Sequence, residues 1–122
     1  MITKRTLTKD ANPGLYEIGQ GGVVSKGESY IDNANRELSE ELGIKKIELK
    51  YLFDFHFEGE KTRYIAKVFE CRFDGRLSFQ KEEIDSGFFI SIEKLKEMIK
   101  NTPEQFTIDS PKILMMYIDF IS

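Results

Sequence analysis

The fold is decided by residues 22–44, which have the sequence GVVSKGESYIDNANRELSEELGI. The first part is a loop rich in glycine, and the second part carries apolar residues at the spacing of a helical turn. These apolar positions are Tyr30, Ile31, Ala34, Leu38 and Leu42. Ser29 is suited to cap the amino end of such a helix, and Gly43 is suited to the left-handed conformation that ends it. The pattern predicts a glycine loop that leads into an amphipathic helix.

Three glutamates of this helix, Glu37, Glu40 and Glu41, are three and four residues apart, so their side chains share one face. Carboxylates on neighbouring turns repel each other by about a few tenths of a kcal/mol per pair unless a cation lies between them. A glutamate-rich helix is most often a solvated surface, and three glutamates alone favour that interpretation. Their spacing also suits a metal ion, and the surrounding residues decide between the two.

The fixed positions of this stretch resemble the signature motif of the Nudix hydrolases, the Nudix box. Every fixed polar or glycine position of that motif is filled: Gly22, Glu28, Arg36, Glu37, Glu40, Glu41 and Gly43. From average residue usage, the chance of such a match at a given start is on the order of 10⁻⁹. The resemblance therefore reverses the first interpretation and predicts a Nudix hydrolase domain.

Composition fits one compact domain over residues 1–122, of which 40% are apolar. Eighteen basic and 21 acidic residues leave a net charge of −3, with no run of Lys or Arg. This balance argues against binding to duplex nucleic acid or to an anionic membrane. A single cysteine, Cys71, cannot form an internal disulfide, and no signal peptide or bilayer-length apolar run is evident. We therefore expect a cytoplasmic protein in which Cys71 packs as a small apolar residue.

The remaining segments predict an α+β fold. Residues 1–9 look like the end of a strand whose beginning is missing or truncated, which would leave a sheet edge for a homodimer to cover. Further strands are predicted at residues 15–18, 47–58, 63–72, 76–79 and 87–90, and helices at residues 92–100 and from about residue 109 to the end. In residues 47–58, strict alternation predicts one buried face: Ile47, Leu49, Tyr51, Phe53, Phe55 and Phe57. The Nudix fold implied by the resemblance is an α/β/α sandwich with a mixed sheet, on which the box helix packs.

The resemblance also implies a role for each residue of the box. Glu37 and Glu41 would be the principal metal ligands, and the carbonyl of Gly22 would bind the metal from the loop. Glu40 would join these ligands or accept a proton from the attacking water. Such hard oxygen donors suit Mg²⁺, with Mn²⁺ as the alternative.

Two further residues of the box would support these ligands. Arg36 would orient the carboxylates, and Glu28 would support the loop or a second metal ion. The general base varies within the family and can lie outside the box. Here Glu82 and Glu83 are the candidates, with Glu83 preferred, although an exposed loop pair fits them equally well.

The resemblance extends beyond the box to one branch of the family, the one that is similar to isopentenyl-diphosphate isomerase. It is carried by Arg5, Lys9, residues 13–14, residues 27–29 and residues 106–111. Residues at the positions of Arg5 and Lys9 contact the substrate diphosphate in that branch, the alternative being that they are solvated surface cations. Isomerisation requires a cysteine and a histidine beside the second glycine of the loop, and acidic residues in the following hairpin. This chain has other residues at these four positions: Gly21, Val23, Thr62 and Tyr64. Hydrolysis is therefore the expected reaction.

The expected enzyme is a Mg²⁺-dependent hydrolase that cleaves the diphosphate linkage of a nucleoside diphosphate joined to another moiety. The alternatives are a catalytically idle nucleotide-binding domain and an isomerase-like enzyme. The expected partner is a small diphosphate. Its remaining part is left open, because the candidate contacts for a base or sugar are more often packing residues: Tyr16, His56, Tyr64 and Phe89.

Overall fold

A computed structural model describes residues 1–7, 13–19, 24, 26–45, 47–60 and 63–122. The described elements are, in chain order, β1 (Ile2–Arg5), β2 (Tyr16–Ile18), α1 (Tyr30–Leu42), β3 (Lys50–Glu58), β4 (Arg63–Glu70), β5 (Ile84–Phe88), α2 (Ile92–Asn101), a 3₁₀ helix (Pro103–Gln105) and α3 (Ser110–Ile121). The three predicted helices are confirmed. Among these residues, none of the helices has the length and apolar character needed to cross a bilayer.

The strands form two antiparallel sheets, with the order β2-β1-β5 in one and a β3-β4 hairpin in the other. The sequence predicted one mixed sheet, and the structure corrects this to two antiparallel sheets. Among the described residues, parallel pairing is limited to one isolated bridge between Tyr16 and Phe106. β1 is paired on both sides. The predicted exposed edge is therefore not at this strand, and the edges of its sheet are β2 and β5.

The helices cover opposite faces of the three-stranded sheet, as the α/β/α sandwich requires. Successive residues of a strand point to opposite faces. Ile2 packs in a buried cluster with Leu95 of α2 and Leu114 of α3. Its neighbour Met1 packs against a second cluster that contains Leu42 of α1. One layer is therefore α1, and the other is α2 with α3.

Both predicted ends of α1 are confirmed. The Ser29 hydroxyl accepts a hydrogen bond of 3.1 Å from the backbone N–H of Asp32. Gly43 adopts φ +71°, and a side chain there would bring its Cβ to 3.0 Å from that of Ser78. Glycine is therefore required both by the left-handed backbone and by the close approach of the following segment.

The predicted strand at residues 76–79 is wrong, because this segment binds the end of α1 instead of a strand. The N–H of Ser78 donates to the carbonyl of Leu42, and the N–H of Gln80 donates to that of Glu41, both at 2.9 Å. The last carbonyls of a helix have no partner within the helix. Here an extended loop supplies those partners.

A β-bulge between Tyr51 and Phe53 changes the predicted faces of β3. Strict alternation places Tyr51 on the buried face and Leu52 on the exposed face. In the structure Leu52 is only 8% exposed, whereas Tyr51 is 49% exposed. The bulge adds one residue to β3, so side chains before it point to the opposite face from the one that strict alternation predicts. Phe55 and Phe57, which follow the bulge, are buried as predicted.

The inner face of the hairpin is attached to α3. The Tyr64 hydroxyl donates a hydrogen bond to Asp109, and burial together with this bond raises the pKa of Tyr64. The ring of Phe53 contacts that of Phe120, with 5.6 Å between the ring centroids. The outer face, which includes Tyr51, Asp54 and Lys67, is therefore directed away from α3.

The bulge predicts that Leu52→Ala destabilises the protein far more than Tyr51→Ala does. Removing the buried Leu52 side chain should lower the free energy of unfolding by about 2–4 kcal/mol. Tyr51→Ala removes a half-exposed ring and should have a much smaller effect. Urea unfolding of both variants measures the difference, and a larger loss for Tyr51→Ala would contradict the bulge.

Candidate functional site

The acidic face of α1 is organised around the guanidinium group of Arg36. Its Nε and Nη2 atoms donate to the two carboxylate oxygens of Glu28 at 2.8 and 3.2 Å. Its Nη1 atom lies 3.2 Å from Glu37 Oε1 and 3.3 Å from Glu40 Oε2. Asn33 donates to Glu28 at 3.3 Å and so helps to orient it. One cation thus joins three carboxylates, and hydrogen bonding to Glu28 raises the pKa of Arg36, which keeps it charged.

A second feature of this face is the close pair formed by Glu37 and Glu41. The Glu37 side chain is only 14% exposed, and it lies within hydrogen-bonding range of the Glu41 carboxyl group. Burial raises the pKa of Glu37, while the charge of Arg36 opposes that rise. Two carboxylates this close share a proton or require a cation between them. Buried hard oxygens of this kind fit the ligand preferences of Mg²⁺ and Mn²⁺.

The three predicted glutamate ligands are not all brought together. Within the described part of the chain, no three side chains of the metal-binding types converge on one point. Glu37 and Glu41 are adjacent, whereas Glu40 is half-exposed and directed toward Arg36. Gly22, the predicted carbonyl ligand, lies outside the described residues. The roles of all four residues stay predictions.

A turn formed by residues 80–83 joins the end of α1 to the end of β1. On one side, the N–H of Gln80 donates a hydrogen bond of 2.9 Å to the carbonyl of Glu41. On the other side, the N–H of Thr6 donates a hydrogen bond of 3.2 Å to the carbonyl of Glu83. The Thr6 hydroxyl also donates to the carbonyl of Glu82 at 3.1 Å. Glu83 is half-buried and Glu82 is exposed. The two candidate bases are therefore held beside the carboxyl end of the box helix, and Glu83 is the less exposed of the two.

The predicted phosphate-binding residues are Arg5 and Lys9. The Nη1 atom of Arg5, at the end of β1, donates to Glu17 Oε2 at 3.2 Å. The Arg5 side chain is 16% exposed, so it is an ordered, largely buried cation and not a freely solvated one. Lys9 lies outside the described residues, as do three of the positions that distinguish an isomerase: Gly21, Val23 and Thr62.

The four candidate contacts for a base or sugar occupy different environments. The Tyr16 ring packs against Phe88 and Phe106, and the Tyr64 ring packs against Phe57. His56 is exposed on the outer face of the hairpin, and Phe89 is 67% exposed beyond β5. Tyr16 and Tyr64 are thus packing residues, in line with the more frequent role of such aromatics.

Cys71 follows β4 and is half-buried. Burial raises the pKa of the Cys71 thiol, and the negative charge of Glu70 adds to that effect. The thiolate is the nucleophilic form of cysteine, so a raised pKa makes the side chain unreactive at neutral pH. This environment fits a packing residue.

Sequence reasoning missed Asn33, which is only 6% exposed and holds Glu28. The residue is recognisable in retrospect because it lies one turn before Arg36 on the same helical face. A polar side chain so placed, between a glutamate and an arginine of the motif, is a candidate for positioning both.

The fold and this acidic helix define an α/β/α domain with a candidate hydrolytic site on a glutamate-rich helix. Residues 1–110 match the family model of the NUDIX domain. An uncharacterized Nudix hydrolase of Pseudomonas aeruginosa is 37% identical over 118 residues, which are 97% of this chain and 69% of that protein. A second uncharacterized Nudix hydrolase, YfcD of Escherichia coli, is 30% identical over 118 residues, which cover 97% of this chain and 63% of YfcD.

Solved structures agree with the fold. A crystal structure of DR0079 from Deinococcus radiodurans gives a TM-score of 0.81 at 25% identity and covers 94% of this chain and 72% of that one. A MutT protein from Methanosarcina mazei gives a TM-score of 0.76 at 22% identity, covering 97% of this chain and 80% of that one. The chain therefore belongs to the Nudix family, as its sequence predicted, and the expected enzyme class, a hydrolase, is confirmed. It spans about two thirds of the length of its Pseudomonas and Escherichia relatives.

The two-point ion pair between Glu28 and Arg36, whose side chains are 16% and 37% exposed, predicts a stability difference between two glutamates. Glu28→Gln replaces one acceptor of this ion pair with an amide donor that faces the guanidinium, so the thermal unfolding midpoint should fall clearly. Glu58→Gln is the matched control, because Glu58 also pairs with an arginine, Arg63, but their side chains are 72% and 78% exposed. Its midpoint should scarcely change. Circular dichroism measures both midpoints. If the two variants lower the unfolding midpoint equally, the ion pair between Glu28 and Arg36 stabilises the protein no more than an exposed one does.

Proposed function

We propose that this domain is a Mg²⁺-dependent hydrolase, with Mn²⁺ as the alternative metal, that cleaves the diphosphate linkage of a nucleoside diphosphate joined to another moiety. The observation that carries the proposal is the close, largely shielded pair of Glu37 and Glu41 beside Arg36, in which the Glu37 side chain is 14% exposed. Such a pair is costly unless a proton or a cation compensates it, and family membership supplies a reason for the cation. We further propose that residues 1–122 form a single domain and act in the cytoplasm.

A diphosphate linkage carries dense negative charge, which repels the attacking water. When bound, the divalent cation would supply the positive charge that the phosphate oxygens need and would act as a Lewis acid. Glu37, Glu41 and the carbonyl of Gly22 would hold the metal ion, and Glu40 would complete the ligands or accept a proton.

Arg36 would act as the positioning residue of this site. Its fork to Glu28 fixes the guanidinium, and its remaining nitrogen contacts both Glu37 and Glu40. The carboxylates are thus restrained before any ligand arrives, which lowers the entropic cost of assembling the site. Glu28 contributes by holding Arg36.

Arg5 and Lys9 would hold the diphosphate itself. Arg5 is held by Glu17 across the β1–β2 pair, so its guanidinium is already ordered. An ordered arginine loses little freedom on binding phosphate, and its planar fork suits two phosphate oxygens. The end of β1 is joined to the carboxyl end of α1 by the turn at residues 80–83.

The reaction would proceed by attack of water on a phosphorus atom of the linkage. Glu83 is proposed to accept the proton of that water while the bond between phosphorus and the bridging oxygen breaks. The bridging oxygen leaves with the departing phosphate group. The half-buried position of Glu83 beside the end of α1 supports this assignment over Glu82.

The metal assignment predicts a loss of both metal binding and activity in Glu41→Gln and Glu37→Gln. Each variant should bind Mn²⁺ more weakly in calorimetric titration and should lower kcat/KM by about 10²-fold, because one charged ligand is lost. Glu48→Gln is the control, since Glu48 is exposed outside the box. EDTA should abolish hydrolysis across a panel of nucleoside diphosphate derivatives, and full activity in EDTA would overturn the proposal.

The base assignment predicts a difference between two neighbouring glutamates. Glu83→Gln should reduce kcat by about 10²–10⁴-fold, because the amide cannot accept the proton, and KM should stay close to that of the wild type. Glu82→Gln is the matched control and should retain activity. If Glu40→Gln instead removes turnover while Glu83→Gln does not, the base is Glu40.

The two alternatives predict different outcomes in the same assays. An idle domain would bind nucleotide without turnover, but its box would not need to retain all of its carboxylates. An isomerase would convert isopentenyl diphosphate without releasing phosphate. Tyr64, at a position where that reaction requires an acidic group, is instead hydrogen-bonded to Asp109. Hydrolysis is therefore the better proposal.

A further inference from the structure

We propose that the base of the nucleoside binds to an exposed cluster of two tyrosines, a lysine and an aspartate at the amino end of the box helix. The cluster consists of Tyr30 of α1, Tyr51 and Asp54 of β3, and Lys67 of β4, and we call it the tyrosine–lysine cluster. The inference rests on the proposed function for the class of substrate, because it assumes that a nucleoside is present.

Lys67 lies at the centre of the cluster. Its Nζ atom is 5.2 Å from the ring centroid of Tyr30, 5.3 Å from that of Tyr51 and 3.0 Å from Asp54 Oδ1. The Tyr51 hydroxyl donates to the same oxygen of Asp54 at 2.7 Å. These contacts fix the direction of both rings relative to one cation.

Both rings are ordered but remain accessible. Tyr30 is 41% exposed and Tyr51 is 49% exposed. The Phe69 ring packs against the Tyr51 ring, with 5.9 Å between the ring centroids and 63° between the ring planes. An exposed aromatic ring contributes less to the stability of the fold than a buried one, because less of its apolar surface is removed from water. A planar ligand that stacks on the ring could cover this surface. This combination of order and exposure is typical of a binding platform.

The cluster is placed at a suitable distance from the candidate catalytic residues. Tyr30 and Glu37 are seven residues apart, so they lie on the same face of α1 two turns from each other. At 1.5 Å per residue their backbones are about 10 Å apart along the helix axis. A ribose and its first phosphate separate a base from a diphosphate linkage by a distance of this order. One substrate can therefore reach both places.

The chemistry of the cluster fits a nucleobase. Stacking on an aromatic ring tolerates any base, because every base has a π face. The Lys67 ammonium group can donate to a ring nitrogen or carbonyl oxygen, and the Asp54 carboxylate can accept from an exocyclic amine. Adenine offers both kinds of partner, so AMP is a suitable probe.

The test compares AMP with ribose 5-phosphate, which has the same sugar phosphate but no base. Saturation-transfer NMR and equilibrium dialysis, without metal, measure the binding of each compound. We expect AMP to bind more tightly than ribose 5-phosphate to the wild type, and Tyr51→Ala and Tyr30→Ala each to weaken AMP binding by about tenfold. Binding of ribose 5-phosphate should be unchanged, and Tyr51→Phe, which keeps the ring, should retain most of the affinity for AMP.

Phe120→Ala is the matched control, because Phe120 is 49% exposed, as Tyr51 is, but lies on α3 at the inner face of the hairpin. Thermal unfolding shows whether each variant is folded.

Lys67→Gln is a further variant, which removes the positive charge of the cluster and leaves both tyrosine rings in place. It should weaken AMP binding less than the loss of a ring does.

The inference is overturned if AMP binds no more tightly than ribose 5-phosphate, or if Tyr51→Ala, Tyr30→Ala and Lys67→Gln all leave AMP binding unchanged. These outcomes are independent of turnover, so they are distinct from a failure of the proposed hydrolysis. If hydrolysis is found, Tyr51→Ala should raise KM for nucleoside substrates by about tenfold while kcat is retained, since the ring contacts a part of the substrate that does not react.

Discussion

The candidate site depends on the ion pairs that Arg36 makes with three glutamates of the loop and helix. Glu28 of the loop and Glu37 and Glu40 of the helix would repel one another, but a single guanidinium lies within 3.3 Å of each of them. The repulsion that makes the acidic helix unusual is thereby reduced by a residue of the same helix. Glu41 is adjacent to Glu37. The close approach of Glu37 and Glu41 is the feature on which the proposed metal site rests.

The β3-β4 hairpin connects this helix to the rest of the fold through its two faces. Its inner face contacts α3 through Phe120 and Asp109, and its outer face contacts α1 where Lys67 meets Tyr30. The bulge in β3 decides which side chains belong to which face, because one inserted residue reverses the alternation. Tyr51 is on the outer face for this reason.

Much of the architecture follows from local sequence. The caps at Ser29 and Gly43, the three helices and the existence of the hairpin strands are set by interactions within a few residues, and all are as predicted. The errors occur where distant residues compete. Residues 76–79 have strand-forming character, but the unsatisfied carbonyls at the end of α1 bind their N–H groups. β1 begins the chain, yet it pairs on both sides because β5 returns beside it.

The sequence by itself determined the family, the box helix and the candidate catalytic glutamates, because a motif with fixed spacing on one helix defines a face without knowledge of the rest of the fold. Only the tertiary structure decided which of these carboxylates are paired with Arg36, that the turn at residues 80–83 brings Glu83 to the end of α1, and that Tyr51 and Lys67 meet Tyr30. Each of these features depends on side chains from different elements, and on a bulge whose position is fixed by pairing with another strand. Periodicity along one segment contains no information about such contacts.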